Sequence, residues 1–138
     1  MDKAWPWVRS VVGFVLGAVA IQLVNMAGAA VFPDAFSGID SDGERASLTL
    51  VGVLAGIAGA FLQGAIARHR LWLHMVVFGL AMLAVDIAVV LGPLAAEPWW
   101  FKAVVVGAVP LQVLVGGWLA GLTWRGSRQA QRRVVNDL

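Results

Sequence analysis

The chain has 138 residues, 60% of them hydrophobic and 13% charged, with a net charge of +2 and a mean hydropathy of +0.83. Those charges are too few to cover a water-soluble domain of this length, so the composition points to one compact membrane domain. No cysteine is present, which excludes disulfides, iron–sulfur clusters, thiolate metal sites and cysteine nucleophiles together.

Four apolar stretches follow one another, at about Trp7 to Phe32, Ser47 to Ala67, Leu71 to Leu91 and Trp99 to Trp124. Each reaches the roughly 20 residues that a helix needs to cross about 30 Å of hydrocarbon. Alternating segments of a spanning barrel are not visible. The expected fold is therefore an all-α membrane protein, a bundle of four transmembrane helices over residues 1–124 followed by a basic tail over 125–138. Ala27-Gly28-Ala29 resembles a signal-peptidase site, but the apolar run before it exceeds the 7–15 residues of a signal-peptide core, so a retained span is expected.

The breaks between stretches carry helix punctuation. Pro33 and Gly38 close the first, Arg68-His69-Arg70 makes a charged turn after the second, and Gly92-Pro93 with Pro98 separates the third from the fourth. Ser41-Asp42-Gly43-Glu44 has the spacing of a capping box, which predicts that the second helix begins before its apolar run.

Basic residues set the expected orientation. Lys3, Arg9, Arg68, Arg70 and the tail arginines Arg125, Arg128, Arg132 and Arg133 flank one face, whereas only Arg45 and Lys102 flank the other. The positive-inside rule then puts both termini in the cytoplasm, with the protein in the plasma (inner) membrane and the acidic segment Asp34 to Glu44 outside. The four tail arginines read as contacts to lipid headgroups, and a nucleic-acid partner is not expected. Trp5, Trp7, Trp72 and Trp124 mark the inner interface, Trp99 and Trp100 the outer one.

Gly59 to Gly64, ahead of Arg68, parallels Gly116 to Gly121, ahead of Arg125. Two duplicated helical hairpins would give this pattern. Gly52, Gly56, Ala60 and Gly64 recur every four residues, and Gly117 and Gly121 repeat the spacing. Lipid gives no hydrophobic drive for helix association, so such stripes are expected to supply close packing within one subunit, or against copies or a membrane partner.

Three polar residues inside the apolar runs stand out as a possible site. Asp86 lies roughly 8 Å below the outer end of its helix, Asn25 roughly 10 Å below the end of the first helix, and Gln22 a turn deeper on the same face. An ionised Asp at a helix centre costs about 2.5–3.5 kcal/mol on insertion scales, so the residue is a site candidate by default. Asp86, Asn25 and Gln22 are expected to form one polar cluster, in which the amides either donate to the carboxylate as interhelical glue or share a solute site with it. Pro110, near Gln112, is expected to kink the fourth span. His69 and His74 are five residues apart, about 140° around a helix, which is wrong for joint chelation.

No paired carboxylates or Ser–His arrangement points to an enzyme, and no cofactor or metal is expected. Two readings remain at this stage. The first is a non-catalytic accessory subunit that packs into a homo-oligomer or larger membrane complex. The second is a small oligomeric transporter or channel for a proton, cation or polar solute, built around Asp86.

Overall fold

A computed structural model describes residues 5–67 and 70–136, with side chains described for residues 7–67 and 70–124. Five helices follow in order: α1 (Trp5–Val31), α2 (Pro33–Ser37), α3 (Asp42–Ile66), α4 (Leu71–Leu91) and α5 (Trp99–Asn136). All but α2 are long and apolar enough to cross a membrane. Their outer surfaces are apolar as well. Val11, Leu23, Leu80 and Leu114 are each more than half exposed, as side chains facing lipid should be. The protein is an all-α, four-helix membrane bundle. One end carries the α3–α4 turn and is called here the terminal end; the other carries the α1–α3 and α4–α5 connections and is called the loop end.

Local signals explain the boundaries. The Ser41 hydroxyl accepts from the Glu44 backbone N–H at 3.2 Å, and the Glu44 carboxylate accepts from the N–H groups of Ser41 and Asp40 at 2.8 and 2.7 Å. This reciprocal cap starts α3 at Asp42, five residues before its apolar run. Pro33 sits at the N1 position of α2, where its fixed φ suits a helix start. Arg70, at the N-cap of α4, lies in the left-handed region, at φ 51° and ψ 47°. Residues 68 and 69 of that turn lie outside the described residues.

Helix α3 is the hub, with α1 on one face and α5 on another. Toward α1 the backbones nearly touch: a Cβ added at Gly17 would lie 2.8 Å from the Gly59 carbonyl oxygen, and one at Gly59 would lie 2.9 Å from that of Gly17. Gly28 receives Val51, and Gly13 receives the Gln63 carboxamide. Toward α5 the contacts repeat every four residues, as Gly56 with Gln112, Ala60 with Gly116, and Gly64 with Ala120. The constant offset of 56 residues means that α3 and α5 run parallel, their side chains meeting level by level.

The glycine stripe divides. Gly56, Ala60 and Gly64 pack as the spacing predicts, and Gly117 meets Met75 of α4. A Cβ on Gly52 or Gly121 would meet nothing within 4 Å, so these two depart from the packing expectation. For Gly52 the reason is that α5 offers only the small Ala108 one turn beyond Gln112, leaving a gap. The sequence-equivalent glycines of the two hairpins are also used differently, since Gly59 faces α1 whereas Gly116 faces α3.

Helix α5 passes Pro110 without a break, and the proline lies on an exposed face while Gln112 points inward. With 38 residues, α5 is roughly 57 Å long and extends beyond any single bilayer crossing. Its backbone stays helical through the segment read as a tail, but the side chains of Arg125, Arg128, Arg132 and Arg133 lie outside the described residues.

Candidate functional site

Helices α1 and α4 meet in their terminal halves. His74 Nδ1 donates to the Arg70 carbonyl at 3.0 Å, which leaves Nε2 to accept from the Ser10 hydroxyl at 2.6 Å. One turn along, Phe14 and Phe78 pack edge to face, with ring centroids 5.4 Å apart. Phe78 is buried against Met75 and Ala60 in the core of the bundle. Toward the loop end the two helices frame a cavity of about 460 Å³, floored by that aromatic pair.

Four elements and one connection build the cavity wall. Helix α1 supplies Phe14, Ala18, Ile21, Gln22 and Asn25, whose spacing by threes and fours places them on one face. From α4 come Phe78, Met82, Val85, Asp86 and Val89, from α3 Thr49, Gly52 and Gly56, and from α5 Val105, Ala108 and Gln112. Leu94, in the α4–α5 connection, lines the cavity at the loop end. That connection is fastened to α3 by Arg45, which donates to Glu97 at 2.9 Å and to Asp42 at 3.0 Å.

All three residues of the expected polar cluster therefore line one cavity. They do not bond to each other: among the described residues no hydrogen bond joins Asp86 to Asn25 or Gln22. The glue arrangement, in which the amides donate to the carboxylate, is not what the side chains adopt. Gln22 is exposed and Asp86 half-buried, on two different helices that line the cavity.

Gln112 completes the site and was not assigned to it from sequence. Its side chain is only 4% exposed. The amide reaches toward the Gly52 carbonyl at 3.5 Å, a long contact, and Oε1 has no hydrogen-bond partner among the described residues. The carboxamide fits because position 56 is glycine, where any Cβ would overlap it. Gln112 is the only amide in its apolar run, so the signal was present. Its depth, about 20 Å from Trp99 at 1.5 Å per residue, set it apart from a cluster expected nearer the loop end.

No Lys, Arg or His lines the cavity. Arg45 is occupied by its two carboxylates, and Lys102 donates to the Ala95 carbonyl at 2.9 Å rather than reaching Asp86. The wall thus offers one carboxyl group, three carboxamides and the Thr49 hydroxyl, which itself donates to the Arg45 carbonyl at 2.8 Å. Among the described residues no three His, Cys, Asp or Glu side chains converge as metal ligands would. Such a wall can surround a solute with hydrogen-bonding groups at one end and apolar surface at the other. The chain matches no protein-family model, no curated protein and no solved structure.

Proposed function

We propose that this protein binds a small solute inside the membrane, in the cavity lined by Asp86, Asn25, Gln22 and Gln112, and passes it across the bilayer as a small transporter or channel. One observation carries the reading. Four polar side chains from three helices face a common cavity without bonding one another, although polar groups within a bilayer are costly unless they are satisfied. In a bundle where such residues served only as glue, they would be spent on each other. Flux through protein reconstituted in liposomes tests the reading, with a panel of protons, alkali cations and small polar solutes. Transport above protein-free controls, abolished by Asp86→Asn while the fold holds, is the expected result; no flux for any member of the panel would end it.

The distribution of Lys and Arg supports a plasma-membrane orientation with both termini cytoplasmic, so that the cavity opens in the outer half of the bilayer. Tags at Met1 and Leu138 should report the cytoplasm and one at Gly38 the opposite side.

A second reading, an accessory subunit packed against its own copies or a larger complex, is supported by two glycines of α5. Gly107 and Gly121 would carry a Cβ into open space, so another helix could approach closely there. The mass of the particle released from lipid distinguishes a monomer from such an assembly.

A further inference from the structure

We infer that the occupant of the cavity is an amphipathic organic monocation that enters sideways from the membrane, between α1 and α4. The inference rests on the solute-binding reading above and names its ligand class. Three features of the wall select the charge. Asp86 is its only acidic or basic side chain, so the site matches a single positive charge and has no cationic group to neutralise a phosphate or carboxylate. The nearest cations on the loop end are already engaged, Arg45 with Glu97 and Asp42, and Lys102 with the Ala95 carbonyl. The unpartnered, buried Oε1 of Gln112 adds an acceptor in the wall.

Apolar surface dominates the rest. Phe14, Phe78, Ile21 and Met82 line the deeper part, and the rings of Phe14 and Phe78 offer faces or edges to an aryl group or a quaternary ammonium. A volume of about 460 Å³ is that of a pocket for a drug-sized molecule and far larger than a bare alkali ion requires. The route follows from the framing helices. Ala18 and Gln22 of α1 and Val85 of α4 line the cavity yet remain exposed, so the side between these helices is open, whereas Leu94 at the loop end is partly buried. A molecule already dissolved in the bilayer reaches Asp86 by that side without crossing water.

The test is equilibrium binding to the full-length protein in lipid nanodiscs, using benzyltrimethylammonium, its uncharged carbon isostere neopentylbenzene, and benzenesulfonate, each corrected against empty discs. The cation is expected to bind at least about tenfold more tightly than the isostere, since the carboxylate acts across a medium of low dielectric, and benzenesulfonate not at all. Asp86→Asn should remove that preference and Asp86→Glu should retain it, both judged on protein whose helical content and elution are unchanged. Should Asp86→Asn fail to fold, Ala18→Phe, which narrows the α1–α4 opening, should still weaken cation binding, whereas Ala30→Phe on an exposed face outside the cavity should not. Equal binding of cation and isostere, or preference for the anion, would overturn the inference and leave a solute site of another class. Loss of cation binding when phosphatidylcholine replaces phosphatidylglycerol would also overturn it, by assigning the cavity to a zwitterionic lipid headgroup. Absence of binding by all three probes, together with flux of small polar solutes, would overturn the inference alone; absence of both binding and flux would remove the transport reading with it.

Discussion

Along α3, small residues serve opposite purposes in the terminal and loop-end halves of the bundle. In the terminal half, Gly17 and Gly59 bring two backbones within touching distance, Gly116 does the same for α5 against α3, and Gly64 admits the Ala120 methyl group. In the loop-end half, Gly52 continues the same four-residue stripe and meets nothing. A small residue in a membrane helix is therefore a permission rather than an instruction. It lets a neighbour come close, and where no neighbour comes it leaves room. Here the change occurs at Gly56, which admits the carboxamide of Gln112 at the boundary between packed core and cavity.

Breaking the packed half should have the largest effect. Gly59→Ala places a methyl group against the backbone of Gly17 and the side chain of Ile21, and the backbone cannot step aside as a flexible side chain would. A loss of about 1–3 kcal/mol is expected in reversible unfolding, the usual range for overpacking. Retained stability would mean that α1 does not press on α3 as described.

At the boundary, Gln112→Met preserves length and removes the carboxamide. Stability should change by less than about 1.5 kcal/mol, as for other volume-conserving swaps, because the Oε1 atom has no hydrogen-bond partner to lose. Solute binding should weaken all the same. A large loss of stability would instead make Gln112 a structural tie.

Arg70, in the terminal half, is strained, and relieving it sharpens the contrast from the other side. Arg70→Gly removes the Cβ clash of the left-handed conformation and should raise stability by about 1 kcal/mol. A drop in melting temperature would show that the Arg70 side chain contributes more than its backbone costs.

The smallest effect is expected at Gly52. Gly52→Ala should leave stability within about 0.5 kcal/mol of the original, the usual range for substitutions that touch nothing, and Gly52→Leu should fold but lose binding by filling the cavity. Destabilisation by the alanine comparable to that of Gly59→Ala would erase the distinction between the halves.

Most of the architecture was legible from the sequence because bilayer thickness imposes its own length on apolar runs, and Ser41 and Glu44 announced the start of α3. The α2 turn was not, since Pro33 reads equally as a stop and as a first helical residue. Asp86, Asn25 and Gln22 could be grouped by counting depth along their helices. Whether they would bond to each other could not, because that depends on how α1 and α4 are placed relative to one another, a long-range arrangement with no local signature. The same limit hid Gln112, whose membership follows from the parallel pairing of α3 and α5, a long-range register.

That pairing has a consequence for how the protein is made. Helix α1 leaves the ribosome before α3, so its glycines have no surface to close upon until α3 arrives, and α3 in turn presents Gly56, Ala60 and Gly64 to lipid until α5 follows. These pairings can close only in that order, and α5 brings Gln112. The cavity wall is therefore incomplete in any intermediate that lacks α5, which contributes Val105, Ala108 and Gln112 to it.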